Sequence, residues 1–440
     1  MTLGASLETD VAAQLRARLG GAAVLGGDAV WRFDAAGSAP ACVIEPADVD
    51  GVCAAVRAAA ELELALVPAG NGTHLGIGWP PRRYDAALTT RSLTRILRHD
   101  AADMTVRVEA GVTLAALNDA LAAAGQWLPI DPPRADAMTI GGLIAADRRG
   151  PLRLAHGGVR DLLLGLRAVS ADGVLIRGGG DVVKNVAGYD LPKLFTGSYG
   201  TLAVLVEASF KVLPRPAHAL LFEWTAPDLG AALQRARAVV ESDVLPVLLE
   251  AVNEPAAESL GLDSGASLLI GCAGSQAHVD EQARRVAALS GGAAQRHVPE
   301  RGEALRRALR EFSQPADDDG LVVRISALPT ALPAILAVAE AAAQQRRVVA
   351  EIASHAGSGT AWCQLLGAPS DAALTEVAAA VRGAARQHGG WAVFEAIPAG
   401  LRASLDPWGF DAASLPLMRR VKDVLDPRGT FSPGRFVGGI

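Results

Sequence analysis

The chain lacks the means to carry a thiolate-bound metal or electron-transfer cluster by itself. Its 440 residues include four cysteines, Cys42, Cys53, Cys272 and Cys363, far apart and with no CxxC pair. Zinc knuckles and iron–sulfur clusters need several thiolates at short, defined spacing. These four are read instead as small buried thiols in a reducing compartment. Long apolar runs are missing as well. The best stretch, 328–339, contains Pro329 and Pro333 and ends at Glu340, short of the ~20 residues that a membrane helix needs. Glu8 and Asp10 precede Arg16 and Arg18 with no apolar segment behind a basic start, which is not a secretion signal. The expectation is a cytoplasmic protein that reaches a membrane only through partners. Lysine is nearly absent, with Lys184, Lys193, Lys211 and Lys422 alone, a trait of codon usage more than of function. Basic residues are scattered and the formal charge is −6, so no basic field exists to draw nucleic acid.

What is present is length, and a regular alternation of strands and helices. A chain of this size exceeds one ordinary core, and two domains are expected. Residues 41–44 read as a strand, Asp48 as the cap of a helix burying Val52, Val56 and Ala59, and 64–67 as a second strand, together a βαβ unit. Strands near 105–109, 166–170 and 173–177 and a long one over 202–213 follow, until Pro214-Arg215-Pro216 breaks the pattern. Beyond it, strand and helix alternate twice over: 220–224, 228–241, 245–251, 267–272 and 278–289, then 321–326, 330–345, 348–352, 361–366, 371–388 and 391–395. Two split-βαβ, ferredoxin-like halves of this kind predict an α+β cap with one antiparallel sheet covered by helices. The domains are placed at 36–216 and 217–400, with 401–440 as a short helix and a Pro/Gly-rich tail returning to the first.

Two glycine-rich segments carry the chemistry. PAGNGTHLGIG, from Pro68 to Gly78, follows the second strand. Glycines let backbone amides approach an anion because no Cβ intervenes, and Asn71 and Thr73 can add side-chain donors. A dinucleotide fingerprint of the GxGxxG kind would follow the first strand and open a helix. Here Trp79-Pro80-Pro81 forbids that helix, so a nicotinamide-binding Rossmann site is disfavoured. A plain surface turn stays open for this loop taken alone. The second segment pairs Thr139-Ile140-Gly141-Gly142 with KNVAGYDLPKLFTGSYGTLAVL, from Lys184 to Leu205; alone, it could equally wrap a core strand.

The order PAGNGT, TIGG, GGVRDLLLG and VVKNVAGYDLPKLFTGSYGTL resembles the vanillyl-alcohol-oxidase-like flavoproteins with their PCMH-type FAD-binding domain. GQWLPIDPP, KVLPRP and LDPRGTFSPGRF are similar to the FAD-binding (E) subunits of bacterial glycolate oxidases, within the D-2-hydroxyacid dehydrogenase branch. The resemblance is weak between Ala217 and about Gly400. It implies a two-lobed FAD-binding domain under the cap. It implies that Pro68, Ala69, Gly70, Asn71, Gly72 and Thr73 cradle the FAD pyrophosphate, that Thr139, Gly141 and Gly142 line the same channel, and that Gly197, Ser198, Gly200, Thr201 and Val204 run along the cofactor. Pro433 and Gly434 are expected near the flavin, with Ser432 where relatives often carry Asn. Flavin-linking relatives have His at the end of the first loop, where Thr73 stands here. FAD is therefore expected to be held non-covalently, with His74 a partly exposed loop residue facing another way.

Relatives that oxidise 2-hydroxyacids carry His-x-Gly-Asp-Gly-x-x-His in the cap and bind a divalent metal with it. Here the segment reads HAGSGTAW, so His355 survives while Ser358 and Trp362 replace the acid and the second His. No metal is expected, and His355 is read as a packed or loop residue. No base is secure. Arg134, Arg324 and His355 are the weak candidates for carboxylate or proton handling, against a surface or structural role for each. The resemblance implies a subunit of a multi-chain glycolate oxidase, with a paralogous catalytic flavin subunit, an iron–sulfur subunit, and glycolate oxidised to glyoxylate. Two alternatives stay open: a stand-alone FAD-linked oxidoreductase acting on another 2-hydroxyacid or alcohol, and a non-catalytic structural subunit.

Overall fold

Asp48 opens the helix that follows the strand Cys42–Ile44 by accepting the Gly51 amide at 2.8 Å. From that cap Val49–Glu61 runs with Val52, Ala55, Val56 and Ala59 turned inward, the spacing of an apolar stripe. The computed structural model describes residues 2–20, 23–182, 188–315, 319–409 and 412–440. The helix links the strands Cys42–Ile44 and Leu66–Ala69, yet these two do not pair. Ala86–Thr89 lies between them and runs parallel to both, and Val24–Leu25 adds an antiparallel edge. The sequence reading missed Ala86–Thr89. All four residues are buried, and so short an apolar run has no period to announce it. It also missed the helix Thr2–Leu19, whose Ala12 and Leu15 pack into the same core.

A second lobe is a five-stranded antiparallel sheet in the order Ile96–Asp100, Thr105–Glu109, Val204–Lys211, Leu163–Val169, Leu175–Gly179. Its central strand Val204–Lys211 is buried along nearly its whole length, as a strand covered on both faces must be. The Lys184–Ala187 part of the long motif lies outside the described residues. Beyond His218 an eight-stranded sheet forms the cap, and every pairing in it is antiparallel. Its two halves join where Leu248–Val252 meets Val349–His355, with Glu250 opposite His355.

One buried ion pair helps to fix the returning tail on the first lobe. Lys422 Nζ donates to Asp426 at 2.6 Å and to the carbonyls of Thr201 and Phe431. Asp426 in turn accepts the amides of Thr430 and Phe431, and Phe431 bridges to Leu66. A buried charge must be paired and hydrogen-bonded in this way, which explains the LDPRGTF segment structurally. The four cysteines are all buried. Burial pushes the Cys42 thiol up to about 11 and those of Cys272 and Cys363 up to about 12, so none is a thiolate. No helix among the described residues is long and apolar enough to cross a membrane. The 328–339 stretch instead supplies the start of the helix Leu332–Arg346, whose Leu332, Ile335, Leu336 and Ala339 are buried.

Candidate functional site

The Pro68–Gly78 loop leaves its strand and is pressed against the loop before Ile140–Ala146. A Cβ on Gly70 would stand 1.9 Å from Thr139 Oγ1, so only glycine permits the two to close. Gly72 has φ +78, and a Cβ there would meet the Arg32 carbonyl at 2.6 Å. That side chain would collide with the loop's own support, not with a ligand path. Thr89 Oγ1 donates to the Gly70 carbonyl at 2.8 Å, and Asn71 Nδ2 donates to the Ala137 carbonyl at 2.8 Å. The Asn71 amide expected as a ligand donor is thus spent on clamping the loop. The backbone amides of Asn71, Gly72, Thr73 and His74 find no protein acceptor among the described residues. Four unspent amides on a pinned loop suit an anion.

This loop separates two adjoining cavities. One is lined by the Pro68–Leu75 stretch, Thr139, Tyr199 and Arg435; the other shares Pro68, Ala69, Gly70 and Gly142 with it and adds Gly141, Ser198, Gly200 and Val204. Gly197 lines a third. The expected cofactor residues therefore come together, except Thr201. Its hydroxyl donates to the Ser198 carbonyl at 2.7 Å and its own carbonyl holds Lys422, so its role is to fix the tail. Pro433 and Gly434 are also absent from these linings. Arg435 takes their place: it is buried, its Nη2 donates to the carbonyls of Leu75 and Ile77 at 2.8 Å, and its Nη1 has no partner. Burial lowers its pKa to about 10, which still leaves a cation. A pinned glycine loop, free amides and an unpaired buried guanidinium fit a dinucleotide diphosphate.

The third cavity encloses about 900 Å³ of atom-free space, part of it open to solvent. Four arginines line it, Arg148, Arg149, Arg153 and Arg324, against two acids, Asp147 and Glu395. Glu395 is the hub. Its carboxylate takes Arg148 Nη1 at 2.5 Å and Arg324 Nε at 2.6 Å on Oε1, and Trp362 Nε1 at 3.0 Å on Oε2. Burial would raise its pKa, but the two guanidiniums hold it down at about 2. Arg148 belongs to the FAD-binding region, the other three to the cap, so the network joins the two. On the other wall Tyr199, Trp408 and Phe436 stack edge to face, with Trp408 centred 5.0 Å from each neighbour.

Arg324, weighed as surface or structural, thus lines this cavity. Trp362, the residue standing where a metal-binding His would be, donates to the hub. His355 does not line it. Its Nδ1 lies 2.5 Å from Glu250 Oε1 and its ring packs edge-on to Trp362 at 4.6 Å, a buried pair in which burial raises Glu250 against the pull of His355. Among the described residues no cluster of three His, Cys, Asp or Glu could hold a metal. Arg134 is exposed and donates to the Thr73 carbonyl at 3.2 Å. His74 is partly exposed, as expected, but it does not face another way: it lines the same cavity as Thr73 and its Nε2 is shut off from solvent.

Sequence reasoning passed over Arg148, Tyr199, Glu395 and Arg435. One signal existed for the first: Asp147-Arg148-Arg149 follows directly on a buried, glycine-containing helix, an odd place for three charges.

Known proteins sharpen this picture. Residues 40–179 match the FAD binding domain family, and residues 215–436 match the family described as FAD linked oxidases, C-terminal domain. Glycolate oxidase subunit GlcD of Bacillus subtilis is 33% identical over 232 residues, 52% of this chain and 49% of that protein. Glycolate oxidase subunit GlcE of Escherichia coli is 41% identical over 152 residues, 34% of this chain and 43% of that one; the matches thus span about half the length of these relatives. A probable mitochondrial D-lactate dehydrogenase of Danio rerio is 25% identical over 433 residues, 90% of this chain and 84% of the relative. In fold, p-cresol methylhydroxylase superposes with a TM-score of 0.74 at 16% identity, over 99% of this chain and 97% of that one. With its cradle, its cap and these matches, the chain belongs to the FAD-linked oxidases and is built on a PCMH-type FAD-binding domain.

Proposed function

We propose that the chain is an FAD-dependent oxidoreductase for small 2-hydroxyacids, serving as a flavin subunit of a glycolate-oxidising assembly. The observation that carries the substrate class is the charged cavity. It has two more arginines than acids, and it meets the glycine-loop cavity at Ala146 and Tyr199. A carboxylate seated on Arg148 and Arg324 would bring the adjacent carbinol carbon toward that junction. Pro68 to Thr73 and Arg435 would hold the pyrophosphate, with Thr139, Gly141, Gly142, Gly197, Ser198, Gly200 and Val204 along the rest of the cofactor. FAD, when bound, supplies a two-electron acceptor for the α-hydrogen. The protein's part is to orient the acid, exclude water and receive the hydroxyl proton. Non-covalent attachment is the reading for Thr73, which cannot form the linkage and whose hydroxyl pairs with His74 Nδ1 at 2.9 Å.

Partners in this reading are a paralogous flavin subunit and an iron–sulfur subunit; its support is the likeness to two glycolate oxidase subunits and the wide spacing of the cysteines. A second reading, a self-sufficient dehydrogenase, is favoured by the nearly end-to-end match to a D-lactate dehydrogenase and by a site whose cradle and cation cavity both come from one chain. A scaffold without flavin is disfavoured by the intact cradle.

One experiment separates them. The purified chain is mixed anaerobically with glycolate, D-lactate or D-2-hydroxyglutarate while its flavin spectrum is followed, then denatured to see whether flavin stays attached. Bleaching by the chain alone supports the self-sufficient enzyme. Bleaching only with partner subunits supports the assembly. A colourless protein that refuses added FAD rejects both.

A further inference from the structure

We propose that His74 is the group that takes the hydroxyl proton of the substrate, with Nε2 as the accepting atom. This inference rests on the reading that a 2-hydroxyacid is oxidised in the neighbouring cavity. His74 follows the cradle loop directly, and Thr73 Oγ1 engages its Nδ1 at 2.9 Å. With one ring nitrogen anchored, the ring orientation is set and Nε2 is the nitrogen left for chemistry. Nε2 is buried without any protein partner, and buried polar atoms left so ordinarily mark a functional site or a ligand contact. The ring shares its cavity with Ala146 and Tyr199, which also line the charged cavity. His74 therefore lines the cradle cavity that adjoins the arginine-lined one through Ala146 and Tyr199.

Its electrostatics suit the task. Burial, aided by Arg148 and Arg134 and opposed by Glu395, pulls the imidazole pKa well below its ordinary value. The ring is neutral in the resting protein, as a proton acceptor must be. A substrate carboxylate bound to Arg148 would cancel part of that cation's field and raise the basicity of His74 once substrate is in place. The other groups nearby are less fit. Both Glu395 oxygens are committed to Arg148, Arg324 and Trp362. Burial raises the Tyr199 pKa, which keeps its hydroxyl protonated. Arg435, in the same cavity, is a cation and accepts nothing. Asp147 is the real rival, because its Oδ1 is unpartnered; its other oxygen is paired with Arg149.

The step balances. The hydroxyl O–H bond breaks and its proton goes to Nε2, while the oxygen's electron pair becomes the second C–O bond. The α C–H bond would break with its electron pair passing as hydride to the acceptor that FAD supplies when bound, leaving a 2-oxoacid and an imidazolium at His74.

The test uses the FAD-loaded chain and its His74→Gln and Asp147→Asn variants, reduced anaerobically by glycolate or D-lactate from about pH 9 down to the lowest pH at which the wild type keeps its FAD, because the His74 pKa lies well below that of an ordinary imidazole. Wild-type reduction should slow as pH falls through the His74 pKa, since imidazolium cannot accept a proton. In His74→Gln the rate should drop ~10²–10⁴-fold and the acid limb vanish, with FAD retention unchanged. Histidine-selective NMR of the wild type with oxalate, which cannot be oxidised by hydride loss, should show one imidazole whose titration moves upward, absent from His74→Gln. A His74→Gln protein that reduces at the wild-type rate overturns the proposal. So does one that only loses FAD, or an acid limb that disappears in Asp147→Asn instead. Wild-type flavin that no 2-hydroxyacid bleaches sinks the function reading and takes this step with it, whereas normal wild-type bleaching with an indifferent His74 sinks the step alone.

Discussion

The two cavities that meet at Ala146 and Tyr199 are made of different material. The cradle is backbone: Gly70 and Gly72 are there for the Cβ they lack, Asn71 and Thr89 hold the loop, and the amides of residues 71–74 have no protein acceptor among the described residues. The charged cavity is side chain, assembled from Arg148 in the FAD-binding region and Arg324, Trp362 and Glu395 in the cap. A backbone site tolerates change in most of its side chains but none at its contact glycines. A side-chain site fails by degrees, according to which partner is left uncompensated.

The largest effect expected on the cradle side comes from Gly70→Val. The new Cβ would overlap Thr139 Oγ1, at 1.9 Å, and the loops could close only by moving the amides. The variant should emerge from gel filtration without flavin, read as the flavin-to-protein absorbance ratio. A stoichiometric yellow protein would mean that the loop is not the cradle.

On the charged side the matching change is Glu395→Gln, which leaves two arginines facing one neutral amide. Breaking one member out of a buried ionic network costs about 3–5 kcal/mol, so the melting temperature should fall while flavin retention is largely kept. The pH dependence has a definite sign. The folded pKa of Glu395 is depressed to about 2, so its stabilisation is present above the ordinary carboxylate pKa and is lost as pH falls through about 2. The gap between wild type and Glu395→Gln should hold at pH 7 and narrow only below about pH 4. A constant gap down to pH 2 would show that the carboxylate's charge is not what the network uses.

Arg324→Met tests the same cavity from the substrate side. Removing one charge-assisted contact of about 1.5–3 kcal/mol should raise KM for a 2-hydroxyacid roughly tenfold to a hundredfold. An unchanged KM would move the carboxylate elsewhere in the cavity.

How much of this could be read from the chain follows the same division. The glycine loops, the cap Asp48, the strand 321–326 and the doubled βαβ texture of the cap are local patterns, and each appears in the folded protein close to where periodicity or spacing put it. Ala86–Thr89 was not legible because so short a run carries no period. Arg148, Arg324 and Glu395 are separated by 176 and 71 positions, and nothing local tells an arginine which carboxylate it will meet. Thr201 shows the opposite: it lies inside a motif that does line the cavity, but its hydroxyl is engaged by the Ser198 carbonyl and its own carbonyl by Lys422. His74 lies within the loop whose importance was clear, and only burial of Nε2 distinguishes it from an ordinary loop histidine.

A buried acid outside both cavities provides a contrast of opposite sign. Asp131 accepts the Leu152 amide at 3.1 Å and lies 3.8 Å from Arg306; burial, only partly opposed by Arg306, raises its pKa to about 7. A raised carboxylate stabilises the fold below its unfolded pKa, and that contribution is lost as pH rises through about 7. Asp131→Asn keeps an acceptor for Leu152 and cannot ionise. Thermal melts of the two proteins should nearly coincide at about pH 3, below the unfolded carboxylate pKa, and separate at pH 8, with the variant more stable by about 2–4 kcal/mol. Coincidence at both values would mean that Asp131 is already ionised and adequately paired in the fold.

The smallest effect is expected where backbone and side-chain terms oppose each other at one residue. Ser432 is fully buried beneath the cradle with φ +47, a left-handed conformation that costs a residue with a Cβ roughly 1–2 kcal/mol. It stays because its amide donates to the Leu66 carbonyl at 2.7 Å and its hydroxyl to the Gly200 carbonyl at 3.2 Å. Ser432→Gly relieves the conformational strain and keeps the amide bond. It loses one hydroxyl bond of about 1 kcal/mol and adds unfolded-chain entropy of about 0.4–1 kcal/mol. These terms nearly cancel, so stability should change by less than about 1 kcal/mol and flavin retention not at all. If retention does fall, Gly200 is held in place by the serine hydroxyl, and a side chain has entered what is otherwise a backbone site.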